Sequence, residues 1–125
     1  MAWATLAVDG AMEFHDGLPE LADLQQVVGG YVEAVTFKLA GTPATMWLNE
    51  EGKLVADPER NWKAEAVCPQ VGSWIAGDVA FTGGAGRRGE TLGLSDAQVA
   101  ELRHIDQDVC VILIDTDASS GAVVG

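Results

Sequence analysis

The chain has 125 residues, of which 48% are hydrophobic and 21% charged, as expected for one ordinary globular domain. Nineteen Asp and Glu against seven Lys and Arg give a formal net charge of -12, which disfavours binding to nucleic acids and anionic lipids. Cys68 and Cys110 lie outside any CxxC motif and have apolar neighbours, which predicts buried thiols and no metal site.

The N-terminal sequence MAWATLAVDG lacks the basic region and the long apolar core of a signal peptide. No apolar run approaches the length of a membrane span. These features predict a cytoplasmic protein. The length of the chain and the lack of an internal linker predict a single domain over residues 1–117, followed by a flexible tail over residues 118–125.

The first predicted elements are a strand and a helix. The apolar run at residues 3–8 predicts the strand, and Asp-Gly pairs at residues 9–10 and 16–17 predict a loop after it. Pro19 suits the first turn of a helix, and the glycine pair at residues 29–30 ends that helix. Its apolar stripe consists of Leu21, Leu24 and Val28.

The middle of the chain predicts further strands and a short helix. Residues 31–39 (YVEAVTFKL) and 45–49 (TMWLN) predict strands separated by Gly41-Thr42-Pro43. A turn at Glu51-Gly52 predicts a hairpin completed by residues 53–55. A helix over residues 58–67 ends before Pro69. Another strand spans residues 74–82, with an interruption at Gly77.

The last third contains the strongest helix signal in the sequence. Ser95 and Gln98 form a capping box, and Leu94 and Val99 occupy the positions of a hydrophobic staple. The buried stripe consists of Val99, Leu102 and Ile105. The run at residues 109–114 (VCVILI) predicts a central strand buried on both faces. The order of elements predicts an α+β fold: a mainly antiparallel sheet with two main helices packed on one side.

Several segments in this order resemble a known family. They are LQQVVGGYVEAV at residues 24–35, WLNEEGKL at residues 47–54, Asn61 with Ala64, and GDVAFTGG at residues 77–84. Together they resemble the uncharacterised family "domain of unknown function 3846", over roughly residues 18–102. The resemblance implies a phage or actinobacterial origin, and by analogy a counter-defence protein that acts by binding. It implies no activity and no site residues.

The loop at residues 83–89 (GGAGRRG) is the only local concentration of positive charge in the sequence. Successive glycine N–H groups, including those of Gly84 and Gly86, can form a nest for an anion. Arg87 and Arg88 would add forked hydrogen bonds to phosphate. The loop lacks the Lys-Ser/Thr ending of a P-loop, so an ordinary flexible loop is the alternative interpretation.

Aromatic and amide side chains supply the other candidate ligand contacts. Trp62 is flanked by Arg60, Asn61 and Lys63 and could stack on a nucleobase, although tryptophan more often fills a core. Trp47 and Asn49 are further candidates, because the Asn49 amide can both donate and accept hydrogen bonds.

No catalytic motif, metal box or cofactor fingerprint stands out, so the sequence predicts a protein without enzymatic activity, cofactor or metal. His15 and His104 have no motif partners, and the pair Asp115 and Asp117 is weak evidence for a cation site. We expect a binding protein that sequesters a phosphate-bearing nucleotide signal. The alternative is an acidic interaction module, or DNA mimic, that blocks a basic host protein.

We also expect a homo-oligomer, most simply a dimer. The apolar run at residues 109–114 and the valine-bearing tail offer surface that a small domain does not bury alone.

Overall fold

The computed structural model describes residues 1–54, 57–71 and 74–107 of the chain. Five strands and three helices are present in this part. In chain order they are β1 (Ala2–Leu6), β2 (Met12–Asp16), α1 (Leu21–Val28), β3 (Val32–Leu39), β4 (Thr42–Asn49), α2 (Trp62–Val67), β5 (Val79–Gly83) and α3 (residues 96–107), with short 3-10 turns at Gly52–Leu54 and Pro69–Val71.

The strands form one sheet in the order β2-β1-β5-β4-β3, and every neighbouring pair is antiparallel. It consists of two hairpins, β1–β2 and β3–β4, which are joined by β5 in the centre. The predicted α+β class with an antiparallel sheet is confirmed.

The two faces of the sheet are covered by different helices. The strand register puts Ala4, Met46 and Phe81 on one face, where they form the main core with side chains from α2 and α3. The opposite face carries Trp47 and Thr82 and is contacted by α1. The expectation of both main helices on one side therefore differs from the structure. The physical reason is β5, which is buried at all five positions and needs cover on both faces.

Some strands and turns differ from the predicted ones, because pairing with a neighbouring strand determines where a strand begins and ends. The Asp-Gly pairs flank a strand, β2, which forms by pairing with β1 and was missed. The β3–β4 hairpin turns at Ala40 and Gly41, both at positive φ, and Pro43 lies inside β4. The hairpin predicted at Glu51-Gly52 is wrong, because residues 52–54 form a 3-10 turn instead.

The predicted cap of α3 is present, whereas α1 and α2 begin later in the chain than predicted. The Ser95–Gln98 capping box is confirmed, since the Gln98 N–H donates to Ser95 Oγ at 3.1 Å and the Ser95 N–H to Gln98 Oε1 at 3.0 Å. Leu102 is fully buried in the core, as its stripe predicts. Pro19 precedes α1 by two residues and lies outside its first turn. Helix α2 begins only after Asn61.

Several predictions fall outside the described residues: the strand at 109–114, Cys110, the Asp115 and Asp117 pair, and the tail. Cys68 is buried in the core as predicted. Within the described part, no helix is both long enough and apolar enough to cross a membrane.

Candidate functional site

Asn61, predicted as a ligand contact, is instead an interior anchor. Its side chain is fully buried, and its Nδ2 donates to the carbonyl oxygens of Leu6 at 3.1 Å and Gly77 at 3.0 Å. Its Oδ1 accepts the Ala64 N–H at 3.1 Å and so caps α2. Both Nδ2 donors and the Oδ1 acceptor therefore bond within the fold, so the Asn61 amide does not serve as a ligand contact.

Lys63 is also turned inward. Only 2% of its side chain is exposed, and Nζ contacts Asp106 Oδ1 at 2.6 Å and the Gly10 carbonyl oxygen at 2.7 Å. This lysine ties α2 to α3 and to the β1–β2 turn. Two of the three residues that flank Trp62 therefore hold the fold together.

Arg60 and Trp62 remain at the surface, but Arg60 already has a partner. Its guanidinium donates two hydrogen bonds to the Glu65 carboxylate, at 2.8 and 2.7 Å, and lies 3.6 Å from the centre of the Trp62 ring. The hydrogen bonds from Arg60 lower the pKa of Glu65 and raise the pKa of Arg60. Trp62 is 56% exposed, so one ring face is covered by arginine and the rest meets solvent.

The loop at residues 83–89, which we call the Gly-Arg loop, is closed by the carboxylate of Glu90. Glu90 Oε2 accepts the Arg88 N–H at 3.1 Å, and a side chain added at Gly86 would overlap the Glu90 carboxylate. Arg87 and Arg88 are exposed. The position that an anion would take in the predicted nest is thus held by Glu90.

The structure does not bring the two cationic regions together. Arg60 pairs with Ala76 before β5 begins, whereas the loop follows the end of β5 and is held by a bridge between Ala85 and Thr91. The five residues of β5 alone separate them by about 16 Å at the usual rise of a strand. One small nucleotide-binding pocket built from both regions is therefore not formed.

The other predicted contacts have mainly structural partners. The Trp47 indole Nε1 donates to Thr82 Oγ1 at 2.9 Å under α1. Asn49 Nδ2 donates to the Val28 carbonyl oxygen at 3.0 Å, and its Oδ1 accepts the Glu51 N–H at 2.7 Å. Gly84 lies against Pro43, where a side chain would be crowded.

A groove of about 420 Å³ lies where β3 and β4 meet the first 3-10 turn. Val35, Leu48 and Trp74 form apolar walls. Asn49 is the only residue of the predicted ligand-binding set that lines it. Lys53 lies 5.1 Å from the Trp74 ring, and two carboxylates, Glu33 and Glu50, stand at its margin.

A second concave surface runs along α1 and was not predicted from the sequence. It consists of two adjoining cavities of about 350 and 460 Å³, which share Gln26, Val27 and Asp78. We call this surface the α1 groove. Its lining includes Trp3, Thr5, Glu13, His15, Gln26, Val27, Asp57, Glu59 and Asp78.

The α1 groove carries charge of one sign. Four carboxylates line it, those of Glu13, Asp57, Glu59 and Asp78, and no lysine or arginine is among its described lining residues. Asp78 is fixed in place because its Oδ1 accepts the Val8 N–H at 3.0 Å. Low-dielectric walls beside like charges concentrate the negative potential there.

One wall of the α1 groove is aromatic and ordered by side-chain contacts. The rings of Trp3 and His15 are 4.5 Å apart, and His15 Nε2 is 3.2 Å from Thr5 Oγ1. These residues come from β1 and β2, and the acidic ones come from β2 and from the loops around α2. The sequence gives little signal for such a site, because its residues are distant along the chain and come together only through the β1–β2 and β1–β5 pairings and the Gly77–Glu59 backbone hydrogen bond.

No cluster of three or more His, Cys, Asp and Glu side chains suited to a metal ion occurs among residues 1–54, 57–71 and 74–107.

A family model described as "Domain of unknown function (DUF3846)" matches residues 7–106. This confirms the resemblance carried by the VGGY, NEEGKL and GDVAFTGG segments and extends it at both ends. No curated protein and no solved structure matches the chain.

Proposed function

The chain belongs to the DUF3846 family, and we propose that it is a non-enzymatic binding module that holds a basic segment of a partner protein in the α1 groove. The observation that carries this proposal is the charge of the groove: four carboxylates and no described cation along two adjoining cavities. Where the partner is a host nucleic-acid-binding protein, the module blocks its basic site as a DNA mimic does.

The charge of the protein favours a cationic ligand both through long-range attraction and through direct contacts in the groove. Far from the surface, the net charge of -12 attracts a basic partner and accelerates encounter, an effect that salt weakens. Close to the surface, the carboxylates of Glu13, Asp57 and Glu59 are exposed and can pair with lysine or arginine side chains. The Trp3 ring lines the same cavity as Glu13 and offers an aromatic side chain on which a guanidinium can stack.

An arginine-rich peptide labelled with a fluorophore tests the proposal by anisotropy. The unmodified protein should bind it, and affinity should fall steeply as salt rises. The double variant Glu13→Gln with Glu59→Gln removes two groove charges and should weaken binding by about tenfold, given roughly 0.7 kcal/mol for each exposed charge contact.

The matched control is Asp96→Asn with Glu101→Gln. It changes the net charge by the same amount, but both residues lie on α3, which packs against the opposite face of the sheet. The control should weaken binding by less than about threefold, through the long-range field alone. Equal losses in both variants would show that the groove is not the binding site, and absence of binding at low salt would reject the module.

Sequestration of a phosphate-bearing nucleotide remains a second candidate, favoured by one observation. Arg87 and Arg88 are exposed side by side on the Gly-Arg loop, and the acidic partner of that loop, Glu90, is carried within it. A phosphate would have to displace the Glu90 carboxylate before the loop N–H groups could bind it.

This requirement gives the second candidate a distinctive test. Calorimetry against cyclic dinucleotides and ADP-ribose derivatives should detect binding, and Glu90→Ala should strengthen it by removing the competing carboxylate. Arg87→Ala with Arg88→Ala should abolish it. Tighter binding to Glu90→Ala would support nucleotide capture, whereas no heat with either protein at high micromolar ligand would exclude it. Consumption of a bound nucleotide would contradict the non-enzymatic part of both proposals.

A further inference from the structure

One end of the α1 groove is formed by the β1–β2 hairpin and combines aromatic rings with an exposed carboxylate. Trp3 of β1 lies opposite His15 of β2. Two residues along the strands, and therefore on the same face of the sheet, Thr5 lies opposite Glu13. All four side chains line the cavity of about 350 Å³. We call this patch the Trp3–Glu13 subsite.

Contacts within the subsite fix the positions of its rings. The Trp3 and His15 rings are 4.5 Å apart and inclined by 33°. His15 Nε2 in turn lies 3.2 Å from Thr5 Oγ1. Glu13 is exposed, and its carboxylate forms no ion pair within the described part of the chain. The subsite therefore presents an ordered aromatic wall together with a carboxylate that can accept hydrogen bonds from a ligand.

We propose that this subsite selects arginine over lysine in the basic segment of the partner, an inference that rests on the function proposed above for the α1 groove. The arginine guanidinium lies against the Trp3 ring and directs two N–H groups at the Glu13 carboxylate. A guanidinium makes both contacts at once because it is planar, weakly hydrated and carries its donors in a fork. The ammonium of lysine is a compact, strongly hydrated charge and does not combine flat stacking with a forked pair.

The same combination of contacts exists elsewhere in the fold. On the surface of α2, the Arg60 guanidinium lies 3.6 Å from the centre of the Trp62 ring and donates two hydrogen bonds to the Glu65 carboxylate, at 2.8 and 2.7 Å. This ring and carboxylate belong to residues three apart on a helix, whose Cβ atoms are about 5–6 Å apart. Trp3 and Glu13 are diagonal neighbours on antiparallel strands, with a spacing of about 7–8 Å. The α1 groove thus offers a second tryptophan–glutamate pair, at which no described arginine lies.

Two further cation–ring contacts show how the two kinds of cation differ in this fold. The Arg103 guanidinium carbon lies 4.3 Å from the centre of the Phe14 ring, whereas Lys53 Nζ lies 5.1 Å from the centre of the Trp74 ring. The guanidinium approaches its ring more closely because it can lie flat on it. A partner arginine should therefore gain more from the Trp3 ring than a partner lysine.

Two fluorescent peptides of equal length and charge test the proposal, one with arginine and one with lysine at every basic position. Anisotropy titrations of the unmodified protein at low salt should show about tenfold tighter binding of the arginine peptide, from about threefold each for the stacking contact and the forked pair. Equal affinities would overturn the arginine preference and leave the groove as a general site for cations. Absence of binding by both peptides would reject the groove itself, and the preference with it.

A third peptide, with trimethyllysine at the basic positions, separates the fork from the stacking contact. Trimethyllysine keeps its positive charge but has no N–H group to donate. It should bind no more tightly than the lysine peptide. Tighter binding than that of the arginine peptide would mean that the rings recognise a quaternary ammonium, as aromatic cages do, and would overturn the proposal.

The variant Trp3→Leu tests whether the preference arises at the subsite. It removes the ring but keeps an apolar side chain, so the preference for arginine should fall from about tenfold to about threefold. Binding of the lysine peptide should hardly change. The matched control Trp62→Leu removes a tryptophan that does not line the groove and should leave the preference unchanged. A tenfold preference that survives Trp3→Leu in the folded protein would overturn the assignment.

Glu13→Gln tests the other contact at an exposed position, where the substitution leaves the fold intact. The neutral amide has one oxygen and cannot accept a charge-assisted fork, so this variant should also reduce the preference to about threefold. Glu101→Gln on α3 is the matched control and should leave the preference unchanged. A preference equally reduced in both variants, or in neither, would show that Glu13 does not receive the guanidinium.

Discussion

Two segments of this molecule contain the polar residues considered as ligand contacts, residues 60–63 and the Gly-Arg loop, and the fold places their side chains differently. Around Trp62, the polar side chains of Asn61 and Lys63 point into the interior, where they join α2 to β1, to α3 and to the β1–β2 turn. In the Gly-Arg loop, Arg87 and Arg88 point outward and touch none of the core. A cluster of polar residues in a sequence can therefore form hydrogen bonds in the interior of the fold or lie on an exposed loop.

The difference arises from what each backbone needs. The segment before α2 must satisfy two buried carbonyl groups and one helix N–H, and Asn61 is the right shape to do all three. The Gly-Arg loop satisfies itself through Glu90. Substitutions in the first region should therefore change stability, and substitutions in the second should change only the surface.

Asn61→Ala should lower the free energy of unfolding more than any other substitution in the two regions. It removes three hydrogen bonds and leaves the Leu6 and Gly77 carbonyl oxygens without that donor, so the free energy of unfolding should fall by about 3 kcal/mol. Denaturant melts followed by circular dichroism measure it. The half-buried Asn49→Ala is the matched control and should lose about 1 kcal/mol. Similar losses in the two variants would remove the distinction between anchor and surface amide.

Lys63→Met should have the next largest effect. Methionine fills similar space but leaves Asp106 without its cationic partner, and because Asp106 is 33% exposed the cost is moderated by water. We expect a loss of about 2 kcal/mol in the free energy of unfolding. A double-mutant cycle with Asp106→Asn isolates the ion pair. A variant as stable as the unmodified protein would show that Lys63 does not brace the fold.

The Arg60–Glu65 pair should contribute in a pH-dependent way. Because the pKa of Glu65 is lowered in the folded protein, its contribution is present above the ordinary value of 4.5 and is lost as the pH falls through the lowered pKa. The stability difference between the unmodified protein and Glu65→Gln should therefore shrink on acidification below about pH 4.5. Thermal melts across pH 3 to 7 measure it. A difference that stays constant with pH would contradict the assignment.

Replacement of Arg87 and Arg88 by Ala should have the smallest effect on stability. Neither side chain has a described role in the core, so the free energy of unfolding should change by less than about 0.5 kcal/mol. The same denaturant melts apply. A loss comparable to that of Lys63→Met would mean that the loop braces the fold as the first region does.

The sequence predicts well those elements whose signal is local. The Ser95–Gln98 capping box, the glycine end of α1 and the apolar stripe ending at Leu102 all need only neighbouring residues, and all are present. β2 was missed because its sequence, MEFHD, becomes a strand only when β1 lies beside it. The division of helices between the faces was missed because it depends on β5 being buried on both sides.

The site is less predictable than the fold, for a related reason. The family resemblance comes from segments such as NEEGKL that shape the backbone, and it carries no chemistry. The α1 groove gathers Glu13, Glu59 and Asp78 from three separate parts of the chain. Neither composition nor spacing reveals such a convergence, whereas a run such as GRRG is visible at once in the sequence, although none of its residues lines the α1 groove.

The central position of β5 has a consequence for how the chain acquires its structure. The two hairpins that precede it in sequence are complete by residue 49 but share no strand pairing with each other. Only when residues 79–83 enter between them does one sheet exist, and those contacts span up to about three-fifths of the chain. Such long-range closure makes folding slow relative to helical proteins of this size. During synthesis on the ribosome, both hairpins must wait for that strand to emerge, with their inner edges unpaired in the meantime.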